Sequence, residues 1–257
     1  MTEQTTPAFK PKKSVALSGT AAGNTAVCTV GRTGNDLHYR GYDILEFAEQ
    51  AEFEEIAHLI VHGTLPTQSE LKAYKAKLKS LRGLPAAVKA TLEQIPPSAH
   101  PMDVMRTGCS ILGTCLTEKD AHPEAEARDI LDRLMASFGS MLLYWYHYSI
   151  NGKRIDVETD DDSIGGHFLH LLHGEKPPEE WVKAMHVSLI LYAEPLPAVL
   201  LPEPSRICTL VLPVQSAHYV ALSTVAQMKS PLKFRSAMPM LMKPKRIFVS
   251  AWRVKKS

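Results

Sequence analysis

Residues 65–83, LPTQSELKAYKAKLKSLRG, carry every local signal of a single amphipathic helix. Thr67 is placed to act as the N-cap, and Glu70, three residues later, completes a capping box. After this start, apolar side chains recur at helical spacing, and they are Leu71, Tyr74, Leu78 and Leu81. This spacing predicts a helix that buries one face and exposes its lysines on the other.

The same periodicity continues on both sides of this segment. Upstream, residues 53–63 (FEEIAHLIVHG) place their aliphatic side chains on one face and end at Gly63, which suits the left-handed position after a helix. Downstream, residues 85–97 predict a short helix between prolines. Residues 100–116 predict another that is apolar on nearly every side and therefore central, and residues 124–152 predict the longest helix.

The remaining segments complete an all-α fold class with a small N-terminal β-hairpin. Two β-leaning runs around a Gly/Asn/Asp turn predict that hairpin from about Ala26 to Tyr42. Pro177 and Pro178 open a final helix that runs to Glu194. About six helices, little strand and short connections are typical of a helical, enzyme-sized domain rather than an α/β sheet protein.

The composition is typical of a globular protein without a membrane span. Apolar residues make up 45% and charged residues 22% of 257 residues, and no run of 18 apolar residues occurs. Residues 1–14 lack the apolar core of a secretory signal and predict a short polar arm. Four cysteines without a CxxC pair favour a reducing cytoplasm, where we expect them to be small buried apolar groups.

The chain changes character after Glu194. Residues 195–257 hold 10 Lys and Arg against one acid, and they contain no Gly, Asp or Asn but eight prolines. Because Gly, Asp and Asn supply most tight turns, this basic tail is not expected to fold natively. Its aromatic and basic residues are raw materials for nucleic-acid contact, but no predicted element presents them, so nucleic-acid binding is disfavoured.

Two polar runs raise a metal-site hypothesis, and the sequence disfavours both. In HFLHLLH, His167 and His170 can share a helix face, but no nearby cysteine or carboxylate completes a tetrahedral set with His173. Three consecutive acids from Asp160 to Asp162 could bind a hard cation, but before a helix they also complement its dipole. We therefore predict hydrogen-bonded histidines, an acidic helix start and no metal.

Eight segments of the chain form a recognisable set, and they are KPKKSVALSG, AGNTAVCTVG, GNDLHYRGYDIL, FEEIAHLIVHGTLPT, HPMDVMRTG, LLYWYHYS, DDDSIGGHFLHLLHGEKP and KAMHVSLILYAE. Together they resemble the citrate synthase family, and within it the N-terminal half of the bacterial 2-methylcitrate synthases. The resemblance runs from about Lys10 to Glu194, so the expected organisation is a polar arm (1–14), a citrate-synthase-like helical region (15–194) and the tail (195–257).

The resemblance implies a mostly helical homodimeric acyltransferase that condenses propionyl-CoA with oxaloacetate, with no further cofactor. In the family, an Asp removes a proton beside the thioester, one His stabilises the enol and a second His protonates the oxaloacetate carbonyl. Arginines clamp the carboxylates. The family also has a His directly after the segment that matches LYAE, whereas here Pro195 follows Glu194.

The sequence of the tail indicates why this His is missing. When its codons are displaced by one base, the tail reads like family sequence. Back-translation of residues 219–234, YVALSTVAQMKSPLKF, displaced by one base gives LRGPKHGGANEVSLEI with suitable synonymous codons. That string contains the family's GPKHGGANE loop, which carries a catalytic His. Since methionine has one codon, Met228–Lys229 and Met242–Lys243 can yield only Glu in the displaced phase. We therefore expect a small deletion after Glu194 and a frame-shifted tail.

The same interpretation fixes the candidate site residues. No residue of this chain matches a catalytic position, and only Tyr192 is carried over, as a substrate-binding group of the acyl pocket or, equally, a core tyrosine. We expect this chain to lack the family activity and to expose apolar helix faces that the intact enzyme covers. The alternatives are an active synthase, acting on propionyl-CoA or acetyl-CoA, and a non-catalytic fragment that pairs with an intact synthase subunit.

Overall fold

The computed structural model describes residues 27–30, 37–116, 124–191 and 193. These residues form three short strands and eight helices. The strands are β1 (Cys28–Val30), β2 (Leu37–Tyr39) and β3 (Tyr42–Asp43). The helices are α1 (Ile44–Phe47), α2 (Phe53–His62), α3 (Gln68–Ser80), α4 (Ala86–Leu92), α5 (Pro101–Cys115), α6 (Glu124–Asn151), α7 (Ile164–His173) and α8 (Glu179–Leu191). The predicted all-α class with a small N-terminal β-hairpin is confirmed, and the four-residue α1 and the third strand were not predicted.

The predicted hairpin is present, and a third strand extends it. β1 pairs antiparallel with β2, with Cys28 opposite Tyr39, and β2 pairs antiparallel with β3. Arg40 and Gly41 connect β2 to β3 with φ angles of 48° and 91°. Two consecutive positive φ angles between directly paired strands are typical of a type I′ turn, which matches the twist of the flanking strands.

The capped helix predicted from residues 65–83 is α3. Thr67 Oγ1 accepts from the Glu70 backbone N–H at 3.4 Å, and the Glu70 carboxylate accepts from the Thr67 backbone N–H at 2.8 Å. Three of the four predicted apolar positions, Leu71, Tyr74 and Leu78, are buried. The two local signals, cap and stripe, therefore place this helix correctly without help from the rest of the chain.

The central helix is α6, and the prediction that α5 is central was wrong. α6 packs against α3, α4, α5 and α7, and its residues 134–145 are all buried. α5 buries only one face, since Asp103, Arg106 and Ser110 are exposed on the other. These three polar residues recur at helical spacing and indicate an exposed face. The sequence prediction missed this face because apolar residues stand between them.

Helices α7 and α8 cross at very short range. A Cβ added at Gly165 would lie 2.8 Å from Met185 Cγ, so glycine allows the two backbones to approach. The α8 stretch from Ala184 to Ile190 is buried throughout. Among the described residues only four large hydrophobic side chains are exposed, so that part of the chain does not show the exposed apolar faces we expected. They are Tyr42, Leu45, Leu65 and Ile150.

Several predictions concern residues outside the described part. The polar arm (1–14), the tail (195–257) and Tyr192 all lie there. Of the cysteines that the structure describes, Cys109 is buried as expected, but Cys115 is exposed at the end of α5, so the prediction of buried thiols was wrong for it. Cys115 is the last residue of α5, and its neighbour Thr114 is exposed as well. No helix among the described residues combines the length and apolar character that crossing a bilayer requires.

Candidate functional site

A cleft of about 610 Å³ opens beside the N-terminal end of α7. The chain before α2, residue 75 of α3, residues 160–163 and one face of α8 form its walls. Six carboxylates and three lysines line it, so it is a polar cleft with more acidic than basic groups. The charged lining residues are Glu49, Glu52, Asp160, Asp161, Asp162, Glu179, Lys75, Lys176 and Lys183. Ligand pockets are usually mostly apolar, and this composition differs from that pattern.

Beneath the cleft, Glu54 links three helices. Its side chain is fully buried, and Oε1 accepts from the backbone N–H of Ile164, the first residue of α7, at 2.7 Å. His186 of α8 accepts from the Phe53 N–H through Nδ1 at 2.9 Å. The other Glu54 oxygen, Oε2, has no hydrogen-bond partner and lies 3.6 Å from His186 Nδ1. Side chains of α2 and α8 thus satisfy the first N–H groups of α7 and α2.

Glu52, Glu54 and His186 are the one group of three or more candidate ligands that the described residues bring within metal-binding distance, with donor atoms within 4.8 Å of one another. Two of the three donors are already engaged. The His186 Nδ1 lone pair accepts the Phe53 N–H, and Glu52 Oε2 is 2.6 Å from Lys75 Nζ. A metal ion would have to displace both partners, so the arrangement favours a structural cluster over a metal site.

The three acidic residues directly precede the N-cap of α7, as predicted, but none of them lies in its first turn. Ser163 is the N-cap, and its Oγ accepts from the Gly166 N–H at 2.9 Å. Asp161 instead accepts a hydrogen bond from Thr159 and lies 2.7 Å from His170 Nδ1. Burial raises the pKa of Asp161, but the hydrogen bonds from Thr159 and His170 outweigh burial and hold that pKa below its ordinary value.

The predicted hydrogen-bonded histidines are confirmed for two of the three positions. His170 pairs with Asp161, and His167 has Thr159 Oγ1 at 2.9 Å and Ser140 Oγ at 3.1 Å from its two ring nitrogens. His173 instead packs its ring against Trp181. The three rings therefore have separate partners and form no common metal-binding set within the described residues.

Burial lowers the pKa of His167 from 6.5 to about 3, with a further contribution from Arg82. The unfolded chain binds a proton on this ring below about pH 6.5, whereas the folded chain does so only near pH 3. The stability that neutral His167 contributes is complete above pH 6.5 and declines towards pH 3, by up to about 1.4 kcal/mol per pH unit.

We therefore expect His167→Gln to flatten the pH dependence of stability. Between pH 7 and pH 5, the wild-type free energy of unfolding should fall by about 2 kcal/mol more than that of the variant. Urea denaturation at the two pH values measures the difference. Equal losses in both proteins would show that the ring is protonated at the same pH in the folded and unfolded chains.

Comparison with known proteins shows the family to which this chain belongs. The family model described as "Citrate synthase, C-terminal domain" matches residues 16–195. The chain belongs to the citrate synthase family. A 2-methylcitrate synthase of Shewanella oneidensis is 58% identical over 178 residues, which are 69% of this chain and 47% of that protein. A 2-methylcitrate synthase of Mycobacterium tuberculosis (strain H37Rv) is 31% identical over 190 residues, covering 72% of this chain and 46% of the relative.

Solved structures of the citrate synthase family share the fold. The ternary complex of carboxymethyl coenzyme A and oxaloacetate with citrate synthase from Thermoplasma acidophilum has a TM-score of 0.65 at 21% identity. It is covered over 65% of its length by 91% of this chain. Citrate synthase from Thermotoga maritima has a TM-score of 0.61 at 24% identity, covered over 64% by 90% of this chain. The chain spans about half the length of the curated relatives it matches.

The sequence proposed no catalytic residue, and the one proposed substrate-binding residue, Tyr192, lies outside the described part. The cleft and the buried Glu54–His186 pair were not predicted. Glu54 and His186 are 132 positions apart in the chain, and no local pattern connects them. The only signal was the presence of polar residues within two apolar helical segments of the citrate synthase scaffold.

Proposed function

We propose that this chain is the helical scaffold of a 2-methylcitrate synthase, whose intact form transfers the propionyl group of propionyl-CoA to oxaloacetate in the cytoplasm as a homodimer. The high identity to one 2-methylcitrate synthase carries the proposal. The Shewanella oneidensis 2-methylcitrate synthase is 58% identical to the chain, whereas a citrate synthase of Heyndrickxia coagulans is 28% identical over the same length of 178 residues. This contrast favours the propionyl-CoA branch over the acetyl-CoA branch.

The chain as written is proposed to be inactive. The family model stops matching at residue 195, and the composition of the chain changes at the same position. The His that the resemblance places after LYAE is replaced by Pro195, and the tail matches family sequence only in a displaced triplet phase. General acid and base groups each contribute about 10²–10⁴-fold to a rate, so loss of all three such groups removes measurable turnover.

A CoA-release assay with propionyl-CoA and oxaloacetate tests both statements. We expect no release above the blank from the chain as written. The matched control is a gene in which the missing bases after codon 194 are restored so that the downstream phase reads as family sequence. That control should turn over, and faster with propionyl-CoA than with acetyl-CoA. Turnover by the unrepaired chain contradicts the inactivity, and a repaired chain that prefers acetyl-CoA contradicts the branch.

A further inference from the structure

Two histidines lie one turn apart at the end of α2, outside the residues that line the cleft. The rings of His58 and His62 stack with centroids 4.6 Å apart and planes inclined by 26°. Both rings also meet Tyr74 of α3 edge to face, at 5.2 and 5.3 Å. These contacts hold the two imidazoles face to face. Because the lone pair of an imidazole nitrogen lies in the ring plane, one ring turns out of the stack when both nitrogens bind the same ion.

His58 presents one nitrogen with a free lone pair. Its Nδ1 lies 2.8 Å from the carbonyl oxygen of Thr64. A carbonyl oxygen can only accept, so Nδ1 carries the proton and donates it. In the neutral ring, Nε2 is then unprotonated. Metal-binding histidines typically have this arrangement, in which the nitrogen remote from the metal donates to a carbonyl or a carboxylate.

His62 also has an acceptor group, a carboxylate, beside one of its ring nitrogens. Its Nε2 is buried without a hydrogen-bond partner and lies 3.5 Å from Asp132 Oδ2 of α6. The Tyr74 hydroxyl and Lys77 Nζ each donate to Asp132 at 2.6 Å and hold that carboxylate in place. The nearby negative charge favours a proton on Nε2, which leaves the lone pair on Nδ1.

We propose that His58 Nε2 and His62 Nδ1 bind one divalent transition-metal ion, such as Zn²⁺, Cu²⁺ or Ni²⁺, with water completing its coordination. Imidazole suits these ions, and two histidines at i and i+4 can chelate one from a single helix face. The carbonyl groups at the end of α2 also favour a cation. The positive charges of Lys77 and Arg128 oppose cation binding, but Asp129 and Asp132 neutralise Lys77. The site is independent of the acyltransferase proposal.

Metal titration of the full-length chain, purified without a histidine tag, tests the site. Zn²⁺ is added in competition with a chromophoric chelator to the wild type and to His58→Gln and His62→Gln. The wild type should bind one tight equivalent, and each substitution should raise the apparent Kd at least ~10-fold. The electron paramagnetic resonance spectrum of the Cu²⁺ form should show two nitrogen ligands in the wild type and one in either variant.

His173→Gln is the matched control. His173 is the last residue of α7 and precedes the left-handed Gly174, just as His62 is the last residue of α2 and precedes the left-handed Gly63. Its Kd should stay within about twofold of wild type. If His62→Gln disturbs the Asp132 cluster and unfolds the chain by circular dichroism, His58→Gln decides alone. Unchanged metal binding in His58→Gln overturns the proposal, because it shows that the ion binds only at other places on the chain.

Discussion

Arg82→Ala is expected to destabilise the chain by at least about 3 kcal/mol. Arg82 is 1% exposed, and its guanidinium donates to the carbonyl oxygens of Thr159, Asp161 and Ser163 at 3.1, 2.6 and 3.0 Å. These three bonds fix the segment that leads into α7. Hydrogen bonds to charged groups contribute about 1.5–3 kcal/mol each, and their loss leaves buried carbonyl groups without donors.

Urea denaturation measures the loss for Arg82→Ala. Lys72→Ala is the matched control, because Lys72 is an exposed cation on neighbouring α3 and its removal should change the unfolding free energy by less than about 0.5 kcal/mol. Arg82→Lys should fall between them, since one ammonium group cannot reproduce the fixed fork of a guanidinium. Equal midpoints for Arg82→Ala and Lys72→Ala would show that the 159–163 segment is held by other contacts.

Glu54→Ala is expected to cost about 2–4 kcal/mol, and Glu54→Gln less than about 1 kcal/mol. Alanine leaves the buried Ile164 N–H without an acceptor and creates a cavity between α2, α7 and α8. Glutamine keeps the acceptor for Ile164, and its amide N–H₂ faces His186, where the wild-type Oε2 has no hydrogen-bond partner.

The glutamine variant distinguishes the two contributions of Glu54. If glutamine is as damaging as alanine, the negative charge itself stabilises this region, and the hydrogen bond to Ile164 is secondary. The expected order, with glutamine close to wild type, assigns the stabilisation to hydrogen bonding and packing. Denaturant midpoints of the three proteins at pH 7 separate these outcomes.

The helices were predictable from the sequence because their signals are local. The capping box of α3 lies within four residues, and Gly63 takes the left-handed conformation directly after α2, with φ of 96°. Each signal works through the backbone of its own segment, so it survives whatever packs around it. Helix α5 shows the limit of this reasoning, since its apolar content indicated burial on all sides while three spaced polar residues face outward.

The polar site was not predictable because its partners are distant in the chain. Arg82 binds carbonyl groups 77 to 81 residues away, and His186 binds a backbone N–H 133 residues away. The short sequence HFLHLLH indicated hydrogen-bonded histidines only by elimination, and its partners, Ser140 and Asp161, could not be read from it. Residue type alone indicates that a buried polar group needs a partner, but not which one.

The bond from the Phe53 N–H to His186 has a consequence for the order of assembly during synthesis. Helix α2 emerges from the ribosome early, but the side chain that satisfies its first amide emerges 133 residues later. At typical elongation rates of about 5–20 residues per second, this delay is roughly 7 to 27 seconds. The delay is longer for the Tyr39 hydroxyl, because its acceptor, the Ile190 carbonyl, is synthesised later still. These two bonds of the amino-terminal part therefore form only when the last described helix docks.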